Sequence, residues 1–152
     1  MPPASSGLTN PDSRRPVETS SFRILIADNF EPWRRFASST LEKDESLQIV
    51  GMAGSGLEAV QKAIELKPDL VLLSVALCPQ LNGLEAAKRI SEAVPGVKLL
   101  FATQVIDRDV MSAALSNGAH GYITKMDAPR ELLPAIRAIR RGEKFIGSGM
   151  KG

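Results

Sequence analysis

A chain of 152 residues is long enough to bury one core and short for two. Its 43% hydrophobic and 24% charged residues are globular proportions, and a formal charge of +2 is too small to argue for nucleic acid or a membrane surface. The single cysteine, Cys78, excludes an intrachain disulfide framework. No run approaches the roughly 20 apolar residues of a bilayer span, and the N-terminus lacks the apolar core of a secretory signal. The expected setting is therefore the reducing cytoplasm, with no membrane partner.

Residues 1–20 are rich in Pro, Ser and Thr without apolar periodicity and read as a disordered leader. Regular structure starts at residue 21. Phe22–Ala27 is a continuous apolar run, the pattern of a strand covered on both faces. Trp33, Phe36, Ala37 and Leu41 then fall at helical spacing. A second strand, Leu47–Met52, leads into Gly54-Ser55-Gly56, which lacks the G-x-x-x-x-G-K-[ST] pattern of a phosphate loop. Ser55 and Glu58 form a capping-box pair, and Leu57, Val60 and Ile64 are read as the apolar face of the helix that follows.

Leu70–Leu73 is the third strand. Asn82 with Glu85 opens a third helix through Leu84, Ala87 and Ile90. Val97–Ala102 is the fourth strand, and a helix from near Asp107 stops at Gly118. Tyr122–Ile123 is the fifth strand. The last helix follows Asp127 and Pro129, stacks Leu132, Leu133, Ile136 and Ile139, and ends before Gly142. Pro134 removes a hydrogen bond inside it, so a kink or an exposed carbonyl is expected there. The run Arg137, Arg140, Arg141 reads as a solvated last turn that suits the helix dipole.

This alternation predicts a (βα)₅ doubly wound parallel sheet in one domain over 21–145, with 146–152 as a short tail. Ligands in such sheets bind beyond the carboxyl ends of the strands. Those ends carry Asp28-Asn29, Ser74, Thr103 and Lys125.

The motifs ILIADN (24–29), PDLVLLS (68–74), LLFATQ (99–104) and GYITK (121–125) together resemble the receiver domain of bacterial response regulators, CheY-like and most similar to receivers that precede LuxR-type DNA-binding domains. The resemblance runs from about Phe22 to Phe145. It implies the flavodoxin-like strand order 2-1-3-4-5 and a role in two-component phosphorelay signalling. It places Asp28 and Asn29 at the acidic metal-binding pair, Ser74 at the phosphate-accepting aspartate, Thr103 and Lys125 at the phosphoryl-binding positions, and Tyr122 at the switch aromatic. In the family, carboxylates hold Mg²⁺, the aspartate takes a phosphoryl group from a sensor kinase, and the hydroxyl and aromatic side chains reorient.

Two departures stand against that chemistry. Serine replaces the acceptor and asparagine one acidic residue, leaving Asp28 as the one carboxylate. At about 4 Å and an effective dielectric of about 20, each lost carboxylate removes roughly 8 kcal/mol of attraction for a dication before desolvation, so Mg²⁺ at Asp28 is expected weak or absent and no cofactor is assigned. Pro79 and Gly83 also lie five and nine residues after Ser74, one more than the family spacing. The expected function is a pseudo-receiver, not an enzyme, that works by protein contact. Its expected partners are a sensor kinase or other signalling protein, or a second copy through helix four, strand five and helix five.

Open alternatives are a phosphoacceptor using an atypical residue, Asp28 among them, and a doubly wound domain that binds a small molecule. Lys125 pairs with Asp28, bonds Ser74, or points to water. Ser74 as a hydrolase nucleophile lacks the G-x-S-x-G elbow and a histidine, because His120 falls at the wrong end of strand five. His120 has no second ligand beside it for zinc, and Cys78 no activator. Asp69, five residues before Ser74, lies roughly 16 Å away along the strand. The ten residues after Gly142 are too few for a helix-turn-helix, so no direct nucleic-acid contact is expected.

Overall fold

The computed structural model describes residues 21–77, 81–104 and 106–151. The leader, Cys78 and Pro79 lie outside the described residues. Strands β1 (Phe22–Ala27), β2 (Leu47–Ala53), β3 (Leu70–Leu73), β4 (Lys98–Thr103), β5 (Gly121–Thr124) and β6 (Phe145–Ile146) form one sheet in the order β2-β1-β3-β4-β5-β6. Every pairing is parallel. The expected flavodoxin-like 2-1-3-4-5 order is present, with β6 added at the edge. Between Ile24 and Leu25 the β1–β2 register shifts by one residue on the β2 side, a bulge at Val50.

Helices α1 (Glu31–Leu41), α2 (Gly56–Leu66), α3 (Gly83–Ala93), α4 (Arg108–Ser116) and α5 (Ala128–Arg140) connect the strands, and a short α6 (Ser148–Lys151) follows β6. Alternation along each strand sends its side chains to two cores. Ile24, Ile26, Leu70, Leu72, Leu100, Ala102 and Ile123 meet Trp33, Ala37 and Leu41 of α1 and Leu132, Ile136 and Ile139 of α5. Leu25, Ala27, Val71, Leu73, Leu99, Phe101 and Tyr122 meet Ala59 and Ala63 of α2, Ala87 and Ile90 of α3, and Ala114 of α4. Burying each large apolar side chain contributes about 1.5–3 kcal/mol, which favours this two-sided sheet over a half-solvated one.

The caps are those the sequence signals. Ser55 Oγ accepts from Glu58 N at 3.1 Å, Asn82 Oδ1 from Glu85 N at 2.9 Å, and Asp107 Oδ1 from Asp109 N at 2.9 Å. Glu58 reaches back to Gly54 N at 2.7 Å rather than to Ser55 N.

Two expectations need correction. The buried face of α2 is Gly56, Ala59 and Ala63, while Leu57 and Ile64 stand 42% and 47% exposed. The helix lies too close for large residues: a Cβ on Gly56 would come within 2.2 Å of Leu81 O. The arginine run is the exposed last turn the sequence signals, and its side chains also make surface contacts. Arg137 Nε donates to Asp44 Oδ2 at 3.2 Å, Arg140 Nη1 to Ser46 Oγ at 2.8 Å, and Arg140 stacks 5.2 Å from the Phe22 ring. Residues 146–152, read as a tail, include sheet and core: Ile146 pairs with Tyr122, and Met150 is buried. The β5 edge between α4 and α5, where self-association was expected, is therefore paired with β6. Pro134 faces solvent within a continuous α5, so the expected kink takes the milder form of one omitted bond.

Candidate functional site

Parallel strands in register bring four chain-distant residues to one end of the sheet. Ala27 pairs with Leu73, Leu73 with Phe101, and Thr103 with Thr124, so Asp28, Ser74, Thr103 and Lys125 emerge side by side. Asp28 is fully buried, and Ser74 and Thr103 are 4% and 1% exposed. Above them opens a cleft of about 400 Å³ lined by Asn29, Phe30, Ser74, Ala76, Thr103, Gln104 and Lys125. Among the described residues the lining contains a cation, hydroxyls and amides but no carboxylate.

Asp28 is fully engaged. Its Oδ1 accepts from Phe30 N at 2.9 Å, and Lys125 Nζ lies 2.8 Å from Oδ2. Oδ2 has no hydrogen-bond donor of good geometry, so the ammonium carries its compensation by charge rather than by a directed bond. The same ammonium sits 5.1 Å from the Trp33 ring centroid, a cation–π contact. Arg34 Nη1 donates to the Asp28 carbonyl at 2.6 Å. Sequence reading treated Trp33 as core alone and passed over Arg34; their helical spacing carries no trace of these contacts. Of the readings left open for Lys125, the geometry shows the ion pair with Asp28.

Ser74 Oγ accepts from Ala76 N at 3.2 Å, which ties the hydroxyl to its own loop. That loop closes despite its extra residue. Gly83 N donates to Val75 O at 2.8 Å, and a Cβ on Gly83 would lie only 1.9 Å from Ser74 O, so only glycine fits there. The first turn of α3 thus lies against Ser74.

Tyr122 is fully buried, its ring 6.1 Å from that of Phe101. Burial, with the Asp107 carboxylate nearby, pushes the phenol pKa up. Thr103 and Tyr122, the two residues assigned by resemblance to the switch, are both buried on adjacent strands.

His120 precedes β5 at the opposite end of the sheet, where its Nδ1 accepts from Leu99 N at 3.2 Å. Asp69 Oδ2 accepts from Arg23 N at 2.8 Å, at the amino end of β1. Neither reaches the cleft. Among the described residues no three His, Cys, Asp or Glu side chains gather as a metal would require. Asn29 offers an amide, Ser74 a hydroxyl, and the one carboxylate is neutralised by lysine. This donor set does not fit Mg²⁺, which favours carboxylate oxygens.

The chain matches the family model described as response regulator receiver domain over residues 24–137. It is 35% identical over 124 residues to oxygen regulatory protein NreC of Staphylococcus epidermidis, and 36% over 124 residues to NreC of Staphylococcus aureus. Each alignment covers 82% of this chain and 57% of the relative, so the chain spans little more than half of the length of these regulators. A solved LuxR-family two-component response regulator from Aurantimonas sp. superposes with TM-score 0.81 at 28% identity, covering 86% of this chain and 93% of the other. The response regulator domain of Thermotoga maritima CheB superposes with TM-score 0.70 at 32% identity, covering 77% and 94%. No described helix is long and apolar enough to cross a membrane. With strand order, family model and relatives in agreement, the chain belongs to the response regulator receiver domain family of two-component signalling.

Proposed function

We propose that this chain is a pseudo-receiver: a cytoplasmic receiver-like module, not an enzyme, that signals by protein contact and takes no phosphoryl group at the strand-three position. The observation that carries the reading is the state of the strand-end carboxylates. Ser74 stands at the acceptor position, and Asp28 is held 2.8 Å from Lys125. A hydroxyl without a base is a poor nucleophile, and His120 is at the far end of β5. Without Mg²⁺, a phosphoryl group arriving in the cleft would meet, among the described lining residues, the Lys125 ammonium, itself paired with Asp28. The partners proposed are a sensor kinase or another signalling protein, and a second copy through α4, β5 and α5, with no direct nucleic-acid contact by these residues.

The test is incubation with acetyl phosphate and Mg²⁺ followed by intact mass. No covalent adduct is expected. A stable gain of one phosphoryl group, mapped to Ser74 or Asp28, rejects the reading in favour of an atypical phosphoacceptor. The cleft of about 400 Å³ supports a second reading, a small-molecule site; a metabolite that raises the melting temperature at stoichiometric levels would establish it.

A further inference from the structure

The stretch from Phe145 to Lys151 is held against β5 by few bonds. Phe145 N donates to His120 O at 3.0 Å, Gly147 N to Tyr122 O at 2.8 Å, and Ser148 N to Glu131 Oε2 at 3.0 Å. Its buried anchor is Met150, 3% exposed, in the same cluster as Tyr122, Phe101, Ala114 and Ala119, while Ile146 and Phe145 pack only half-buried against the two cores. The fit is close. A Cβ on Gly147 would lie 2.8 Å from Glu131 Oε1 and 3.1 Å from Ile123 Cα, and one on Gly149 2.7 Å from Asp127 Oδ2.

The hold is nevertheless incomplete. β6 has two residues, both half-buried, and Glu131 Oε1 beneath the segment is buried without a hydrogen-bond partner. Short segments with few buried contacts open well below the free energy of global unfolding.

We propose that Phe145–Lys151 is an exchangeable latch, docking on β5 of its own chain or on β5 of a second copy. This rests on the protein-contact reading above and names its mode. Release would leave His120 O and Tyr122 O as two unpaired acceptors beside an apolar seat at Tyr122, Ala114 and Ala119. The occupant that fits both the acceptors and the seat is the latch itself, which every copy carries. Reciprocal exchange of an identical element needs no new complementary surface. Glu143 and Lys144, after the positive-φ Gly142 that follows α5, are the hinge.

Hydrogen exchange on the full chain tests the opening. The amides of Phe145, Gly147 and Met150 are expected to exchange at least about 100-fold faster than those of Leu72 and Leu100, with rates unchanged in low urea. Exchange only through global unfolding overturns the latch. Sedimentation velocity over a concentration series tests the exchange. A dimer fraction that grows with concentration is expected. Met150→Asp and Gly147→Val, which spoil the seat in either copy, are each expected to lower the association constant at least about tenfold while Leu72 and Leu100 keep their protection. A monomer throughout the series, or seat variants that associate as well as the parent, overturns the exchange. A phosphoryl adduct at Ser74 would reject the pseudo-receiver and leave these outcomes unaltered.

Discussion

At the scale of the residue, the pair of Asp28 and Lys125 sets the character of the strand ends. The carboxylate is fully buried and the ammonium 15% exposed, so removing one partner strands the other. Lys125→Met is expected to cost about 3–5 kcal/mol in urea unfolding, and Asp28→Asn added to it to restore part of that loss. The residues of the cleft were legible because a parallel sheet delivers every strand's last residue to one place. Their pairing was not, since Lys125 had three open readings that only side-chain geometry separates. His120 carries a second expectation. Burial, with Lys98 and Lys144 nearby, lowers its pKa, and Leu99 N needs its Nδ1 lone pair. The unfolded chain therefore binds the proton more readily than the fold. Stability should be insensitive to this group above about pH 6.5 and fall as pH drops below it. His120→Asn should flatten that fall between about pH 5 and 6.5 in thermal melts, above the range where the lowered carboxylates Asp44 and Glu58 titrate.

At the scale of the element, caps and boundaries followed from local chemistry, whereas the buried face of α2 did not. Leu57, Val60 and Ile64 share a stripe of higher hydrophobicity, yet the helix turns Gly56, Ala59 and Ala63 inward because its approach to α3 is limited by backbone, at Leu81 O. Hydrophobicity alone cannot report an interhelical distance. Two-residue β6 escaped for a related reason: so short a run has no period to read, and its pairing comes from the return of α5. Within α5, Pro134 faces solvent and withholds one bond from the Arg130 carbonyl. Pro134→Ala should restore it and raise stability by about 1–3 kcal/mol in denaturant unfolding, without altering the sheet.

At the scale of the whole molecule, one sheet serves two cores. Ile90 of α3 and Ile136 of α5 are both fully buried, on opposite faces. Each change to alanine should cost about 2–5 kcal/mol. The double variant should lose the sum to within about 0.5 kcal/mol in a single two-state transition, since the sites share no partner yet depend on the same strands. Separate transitions for the two faces would contradict that coupling.

The basic run of α5 bears on what such a surface meets in solution. Arg137 is spent on Asp44, Arg140 on Ser46 and the Phe22 ring, and Arg141 on Glu143. The cationic excess of the sequence is thereby broken into short-range, largely self-neutralised couples.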